Sequence, residues 1–191
     1  MVKGSDKIVV RSSKPGGAYG SSQLRALQAP LKQRYREDPE SAVITLRADG
    51  SLHERVACSV STGAALVEAG LHPATGGTGL EACSGDMLLQ ALVACAGVTL
   101  TAVATALGVR LRSGRVTAEG DLDVRGTLGI EKDVTVGFKQ IRLRIVLDTD
   151  ATPDEQARLM ELTERYCVVY QTLCRGSGMS MSMEAAGKPA Q

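Results

Sequence analysis

Residues 85–109 read GDMLLQALVACAGVTLTAVATALGV, with no charged side chain from Met87 to Val109. The run is too long and too uniformly apolar for a strand, so it predicts a helix buried on most sides. Its length would suffice to cross a bilayer. However, Ala, Thr and Gly fill it rather than Leu, Ile and Phe. Gln90, Thr99, Thr101 and Thr105 weaken its transfer into lipid. No other part of the chain resembles a span. The expectation is the central helix of a soluble core, with no membrane partner. Ser84 or Asp86 is placed to cap its start, and the Gly108–Arg110 segment to end it.

On either side the pattern changes period. Residues 42–48 (AVITLRA) and 52–60 (LHERVACSV) flank Asp49-Gly50, a pair suited to the positive φ of a tight turn, and predict a hairpin. Residues 70–86 form a glycine-rich loop that matches neither GxGxxG nor a P-loop, so no nucleotide site is expected. Residues 110–125 and 135–149 carry alternating stretches; Ile141, Leu143, Ile145 and Leu147 fall on one side. They predict antiparallel strands with one face buried. Thr152-Pro153-Asp154-Glu155 opens a second helix with a capping box and proline in the first turn. Leu159, Leu162, Tyr166, Val169 and Leu173 continue its stripe until Arg175-Gly176-Ser177-Gly178 stops it. SMSMEA (180–185) alternates again and reads as a last strand. The order is that of an α+β protein, with sheet curved around two helices.

The N-terminal part differs. Residues 1–22 are rich in Ser, Gly and Lys and read as a loose tail, at most a stray strand at IVVRS. Leu24, Leu27 and Leu31 predict a short helix, broken or kinked at Pro30. The expected organisation is therefore an extension over 1–37 and a single folded domain over 38–191. The start, MVKGSDKIVVRSSKPGGAYGSS, lacks the apolar core of a signal peptide, which favours the cytoplasm.

Composition narrows the chemistry. A chain of 191 residues buries about 70% of its unfolded surface without needing a metal or disulfide staple. Net charge is +1, the basic residues are dispersed, and there is no Trp and one Phe, which argues against nucleic-acid recognition by stacking. The two histidines, His53 and His72, and five cysteines without a CxxC pair argue against zinc. No metal and no cofactor are expected.

Cys95 and Cys167 stand out among the cysteines. Cys95 sits about 15 Å into its helix, beyond reach of that helix's own dipole. Burial raises a thiol's pKa, so a reactive Cys95 needs help from elsewhere, most plainly an arginine. Otherwise it is a small hydrophobe in the core. Cys167, in ERYCVVYQTL, occupies a new helix N-terminus if the preceding helix breaks there. Without a break it is an ordinary helical residue. Cys58, Cys83 and Cys174 read as structural.

At these residues the chain resembles the OsmC/Ohr family of thiol-dependent hydroperoxide reductases. SGDMLLQALVAC resembles the family's PEELLxAALAAC helix, and YCVVYQTL its C-P-V-x-x-T-L segment, 72 positions apart between the cysteines. The likeness spans about residues 38–186. It implies antiparallel sheets wrapped around two central helices in an intertwined homodimer, with active sites at the subunit interface. It implies Cys95 as peroxidatic and Cys167 as resolving cysteine, an organic hydroperoxide as substrate, and an external dithiol as reductant. It also implies an activating arginine: Arg36, with Arg34 and Arg47 as alternatives. The chain departs from the pattern in two places. Gly85 stands where the hydroperoxidases carry a glutamate, and Val168 follows Cys167 in place of proline. A non-catalytic stress protein or a small-molecule or lipid-binding dimer of the same fold is the other expectation.

Overall fold

The computed structural model describes residues 21–38, 50–53, 57–61, 66–130 and 132–183. The chain divides into two compact units, Met1–Ala42 and Val43–Gln191. Among its described residues the first holds helix α1 (Ser21–Glu37), with Pro30 inside it. The expected break does not occur: proline removes one backbone donor and the helix continues past it.

The second unit opens with strands β1 (Gly50–His53), β2 (Ala57–Ser61) and β3 (Leu66–Gly70), successively antiparallel. A short strand β4 (Ala82–Cys83) adds parallel to β3. The hairpin differs from the one expected. Gly50 pairs with Val60 and His53 with Ala57, so the reversal lies between His53 and Ala57 and not at Asp49-Gly50. Residues 52–60, read above as one strand, are folded back on themselves. The alternation in LHERVACSV fails at the polar run His53-Glu54-Arg55. The segment 42–48 lies outside the described residues.

Helix α2 (Ser84–Leu107) follows directly from β4. Neither Ser84 nor Asp86 caps it. Cys83 is the N-cap residue and makes no side-chain cap bond, while Asp86 lies in the first turn. At the other end Gly108, at φ +75°, closes the helix by donating its N–H to the carbonyls of Ala104 and Thr105. The threonines of this apolar helix satisfy themselves internally. Thr101 Oγ1 donates to the Gly97 carbonyl at 2.9 Å and Thr105 Oγ1 to that of Thr101 at 2.8 Å.

The long strands β5 (Leu111–Leu122) and β6 (Phe138–Thr149) pair antiparallel as a two-stranded ribbon, joined through a one-turn helix α3 (Val124–Thr127) that the sequence pattern did not suggest. Ile141, Leu143, Ile145 and Leu147 face inward as expected. The outer face carries cross-strand ion pairs, Arg112 with Asp148 and Arg142 with Asp121. Such exposed pairs are screened by water and contribute little to stability.

Helix α4 (Pro153–Tyr166) begins with the predicted capping box: the Thr152 hydroxyl accepts from the Glu155 N–H, and the Glu155 carboxylate accepts from the Thr152 N–H. Helix α5 (Val168–Arg175) follows after one residue. Leu100, Val103 and Ala104 of α2 meet Leu159 of α4, with Val109, Leu111, Ile145, Leu147 and Leu162 around them. Leu159 is fully buried, which alone contributes about 1.5–3 kcal/mol. The central helix is thus held by α4, α5 and β5. No strand forms over residues 180–183, and 184–185 lie outside the described residues.

Phe138, the only phenylalanine, ties the ribbon to the start of α2. A Cβ at Gly120 would stand 2.5 Å from its ring, and one at Gly85 would stand 3.4 Å from it. The ring therefore lies on the bare backbone of β5. Gly120→Ala is expected to displace it and destabilise the fold by about 1–3 kcal/mol, read as a lowered Tm. An unchanged Tm would show that the ring does not need this seat.

Candidate functional site

The site is made by the interruption between α4 and α5. Cys167 has extended backbone angles (φ −73°, ψ 106°) and is both C-cap of α4 and N-cap of α5. The chain stays hydrogen-bonded across it, since the Cys167 N–H donates to Thr163 and its carbonyl accepts from Gln171, both at 2.9 Å. The first amides of α5, those of Val168, Val169 and Tyr170, have no carbonyl one turn back. The Glu164 carbonyl is taken instead by the Gln171 side-chain amide at 2.7 Å. A proline is not needed for the break.

These freed amides turn toward two sulfurs. The amides of Val169 and Val168 favour negative charge on Cys95 Sγ, and those of Tyr170 and Val169 favour it on Cys167 Sγ. Cys95 is half-buried on α2, whereas Cys167 is only 1% exposed. The two sulfurs are coupled: Cys167 favours the charged form of Cys95, and Cys95 disfavours that of Cys167. Thr99, one turn after Cys95, adds its hydroxyl to the same sulfur.

The electrostatics separate the pair. Burial opposes ionisation of Cys95, but the Val169 amide, the Cys167 thiol, the Val168 amide and the Thr99 hydroxyl outweigh it, and its pKa falls below the ordinary thiol value. Cys167 moves the opposite way. Burial raises its pKa, and the adjacent Cys95 adds to this as hydrogen-bond acceptor and as negative charge, against the lowering by the Tyr170 amide. Of the two, Cys95 is the sulfur that ionises more readily and Cys167 the one that holds its proton. The helix end that activates Cys95 belongs to α5, so the help that α2 could not give comes from a neighbouring backbone. The spacing showed Thr99 only as a small neighbour. The amides of 168–170 carry no residue-type signal at all.

Cys167 also lines a cavity of about 150 Å³ with Ala96, Ile141, Thr163 and Tyr170. Val168 borders an open groove of about 410 Å³ with Arg165, Tyr166 and Arg175. A larger cavity of about 500 Å³ lies at the other end of α2, beside Gly85 and Phe138, and does not include Cys95 or Cys167. Arg36 and Arg34 lie in α1, within the separate N-terminal unit, and their side chains are outside the described residues; so is Arg47. Cys83, Cys95, Cys167 and Cys174 are free thiols, and the Cys58 side chain is outside the described residues. No group of three or more His, Cys, Asp or Glu able to hold a metal occurs among the described residues.

A family model described as OsmC-like protein matches residues 77–182, which takes in both cysteines and more than half the chain. The chain belongs to the OsmC-like family. Its fold agrees with solved OsmC-like structures. An OsmC-like protein from Mycoplasma pneumoniae superposes with a TM-score of 0.59 at 15% identity, covering 70% of this chain and 89% of that one. An organic hydroperoxide resistance protein OsmC from Legionella pneumophila gives 0.55 at 18% identity, covering 71% and 92%. An organic hydroperoxide resistance protein from Elizabethkingia anophelis gives 0.52 at 19%, covering 71% and 91%. No curated protein matches the sequence.

Because the pKa of Cys95 is lowered, its thiolate persists at pH values where an ordinary thiol is already mostly protonated. Alkylation of Cys95 by iodoacetamide, followed by peptide mass mapping, is expected to show its pH inflection below that of a short unstructured cysteine peptide. Thr99→Val removes one donor and should move the inflection upward. Coincident profiles for Cys95 and the free peptide would contradict the electrostatic assignment.

Proposed function

We propose that this protein is a thiol-dependent peroxidase that reduces organic hydroperoxides through Cys95 and Cys167. The observation that carries the reading is the contact of a thiolate-favouring sulfur with a thiol at the N-terminus of α5. In the proposed cycle the Cys95 thiolate attacks the O–O bond of the hydroperoxide. A sulfenic acid forms on Cys95, and the alkoxide leaves and takes up a proton as alcohol. The Cys167 thiol condenses with the sulfenic acid, releasing water and forming a disulfide. An external dithiol returns both sulfurs to the reduced state. Burial of Cys167 suits a resolving role, because a protonated, shielded thiol does not compete for the peroxide.

The working unit in this reading is a homodimer with sites at the subunit interface. Leu88, Ala91, Ala94, Val98 and Thr101 leave an exposed, uncharged face on α2, with Val98 72% exposed. A second copy would cover it. Gly85 is about 15 Å along the helix from Cys95, so groups at the start of α2 can meet Cys95 only across such an interface. Arg36 is proposed as an additional activating cation. The α5 amides provide part of that stabilisation even where the glutamate position is glycine. The reaction is assigned to the cytoplasm, where dithiol reductants are maintained.

Dithiol-dependent consumption of an alkyl hydroperoxide tests the proposal. Cys95→Ser should fall to the uncatalysed rate. Cys167→Ser should still give one turnover, trapped as a sulfenic acid adduct on Cys95, but lose most of its sustained turnover with the dithiol. Wild-type turnover by Cys95→Ser would sink the reading. No turnover by the wild type would favour a non-catalytic member of the family.

A further inference from the structure

Cys167 must lose a proton and regain one in each turn of the proposed cycle, although it is 1% exposed. A thiol closed off from solvent exchanges its proton through internal groups or water. The cavity of about 150 Å³ beside Cys167 supplies the space, enough for several water molecules. Ala96, Ile141, Leu143, Ile145 and Met160 make its wall mostly apolar. The polar residues in that wall, besides Cys167, are Thr163, Glu164 and Tyr170. Thr163 is committed, since its hydroxyl donates to the Leu159 carbonyl at 2.7 Å. Tyr170 is held neutral: burial raises its pKa, and the Glu164 charge and a hydrogen bond with Cys174 raise it further. Its hydroxyl can pass a proton along but is no base. Glu164 is the one acid among the lining residues, its charge is felt at Tyr170, and it is exposed. Cys95 acts on Cys167 from α2 and Cys174 on Tyr170 from α5, while β6 lines the cavity with apolar side chains alone. The cavity also lies away from the uncovered face of α2. Ala96, its α2 residue, is fully buried and stands across the helix from the exposed Ala94 and Val98. A second copy seated on that face leaves this route open.

We propose that Glu164 is the proton-relay residue of the resolving half of the cycle, exchanging a proton with Cys167 through this cavity and the Tyr170 hydroxyl. The proposal rests on the peroxidase reading. In resolution the Cys167 proton passes to the Glu164 carboxylate as the Cys167 sulfur bonds to the Cys95 sulfur. The S–O bond of the sulfenic acid breaks, and the departing hydroxide takes a proton from solvent to become water. In reduction a thiolate of the external dithiol bonds to the Cys95 sulfur and the S–S bond breaks. The Cys167 thiolate takes its proton back from Glu164. The second thiol of the reductant then releases Cys95, leaving the dithiol oxidised to a disulfide.

The test gives the reduced protein one equivalent of an alkyl hydroperoxide, without reductant, and follows the conversion of sulfenic acid to disulfide. Dimedone trapping and mass spectrometry read the two species. In Glu164→Gln, sulfenic acid should form at the wild-type rate but resolve at least about tenfold more slowly near neutral pH. The wild-type resolution rate should fall in acid as the carboxylate is protonated. The deficit of Glu164→Gln should close in alkali, where Cys167 ionises unaided, and Glu164→Asp should recover part of the rate. Equal resolution by wild type and Glu164→Gln at every pH would overturn the relay alone. A deficit that persists unchanged into alkali would also overturn it, and would mark a packing effect. Absence of any sulfenic acid in the wild type would overturn the peroxidase reading, and the relay with it.

Discussion

The site depends on a one-residue interruption in a helix. Had α4 continued through Cys167, the amides of Val168, Val169 and Tyr170 would bond to carbonyls one turn back. Neither sulfur would then have a backbone amide to favour its charge. Breaking the ladder at an extended residue frees these groups and aims them at α2. The cost of leaving amides unpaired is offset because they find sulfur acceptors. The same break makes the two thiols chemically unequal, since the sulfur with more donors becomes the anion.

The rest of the fold keeps that geometry in place. Leu159 and Thr163 anchor α4 against α2, with Thr163 Oγ1 bonded to the Leu159 carbonyl at 2.7 Å in a fully buried setting. The capping box at Thr152 fixes where α4 starts, and so where its last turn delivers Cys167. Farther along α2, Phe138 closes over Gly120 and Gly85. Gly85 and the ring fit together: the position lacks a carboxylate and also borders the aromatic face.

Much of this architecture is legible in the sequence where a pattern is long. The uncharged run predicted α2 to within a residue at its start. The alternation of Ile141 to Leu147 predicted β6, and Thr152-Pro153-Asp154-Glu155 predicted the capping box. Short signals misled. Asp49-Gly50 is a good turn pair, yet pairing with Val60 and neighbouring strands places Gly50 in β1 instead. Pro30 is a helix breaker by propensity, but α1 tolerates the single missing bond. The two cysteines could be named from their settings, whereas their activation could not. The donors are main-chain groups, and only tertiary packing shows that α5 of the fold points at a sulfur on α2. Replacing proline by Val168 weakened the sequence signal for the break without removing the break, because the extended angles belong to Cys167 itself.

The near-complete burial of Cys167 gives the proposed disulfide a direction. An incoming reductant cannot approach that sulfur, so exchange begins at Cys95, the half-exposed partner. The external thiol becomes transiently joined to Cys95, and Cys167 departs as the leaving group. The Tyr170 and Val169 amides that contact Cys167 would then receive its departing negative charge. Oxidation and reduction would thus enter through the same sulfur, with the shielded one serving each half of the cycle from inside.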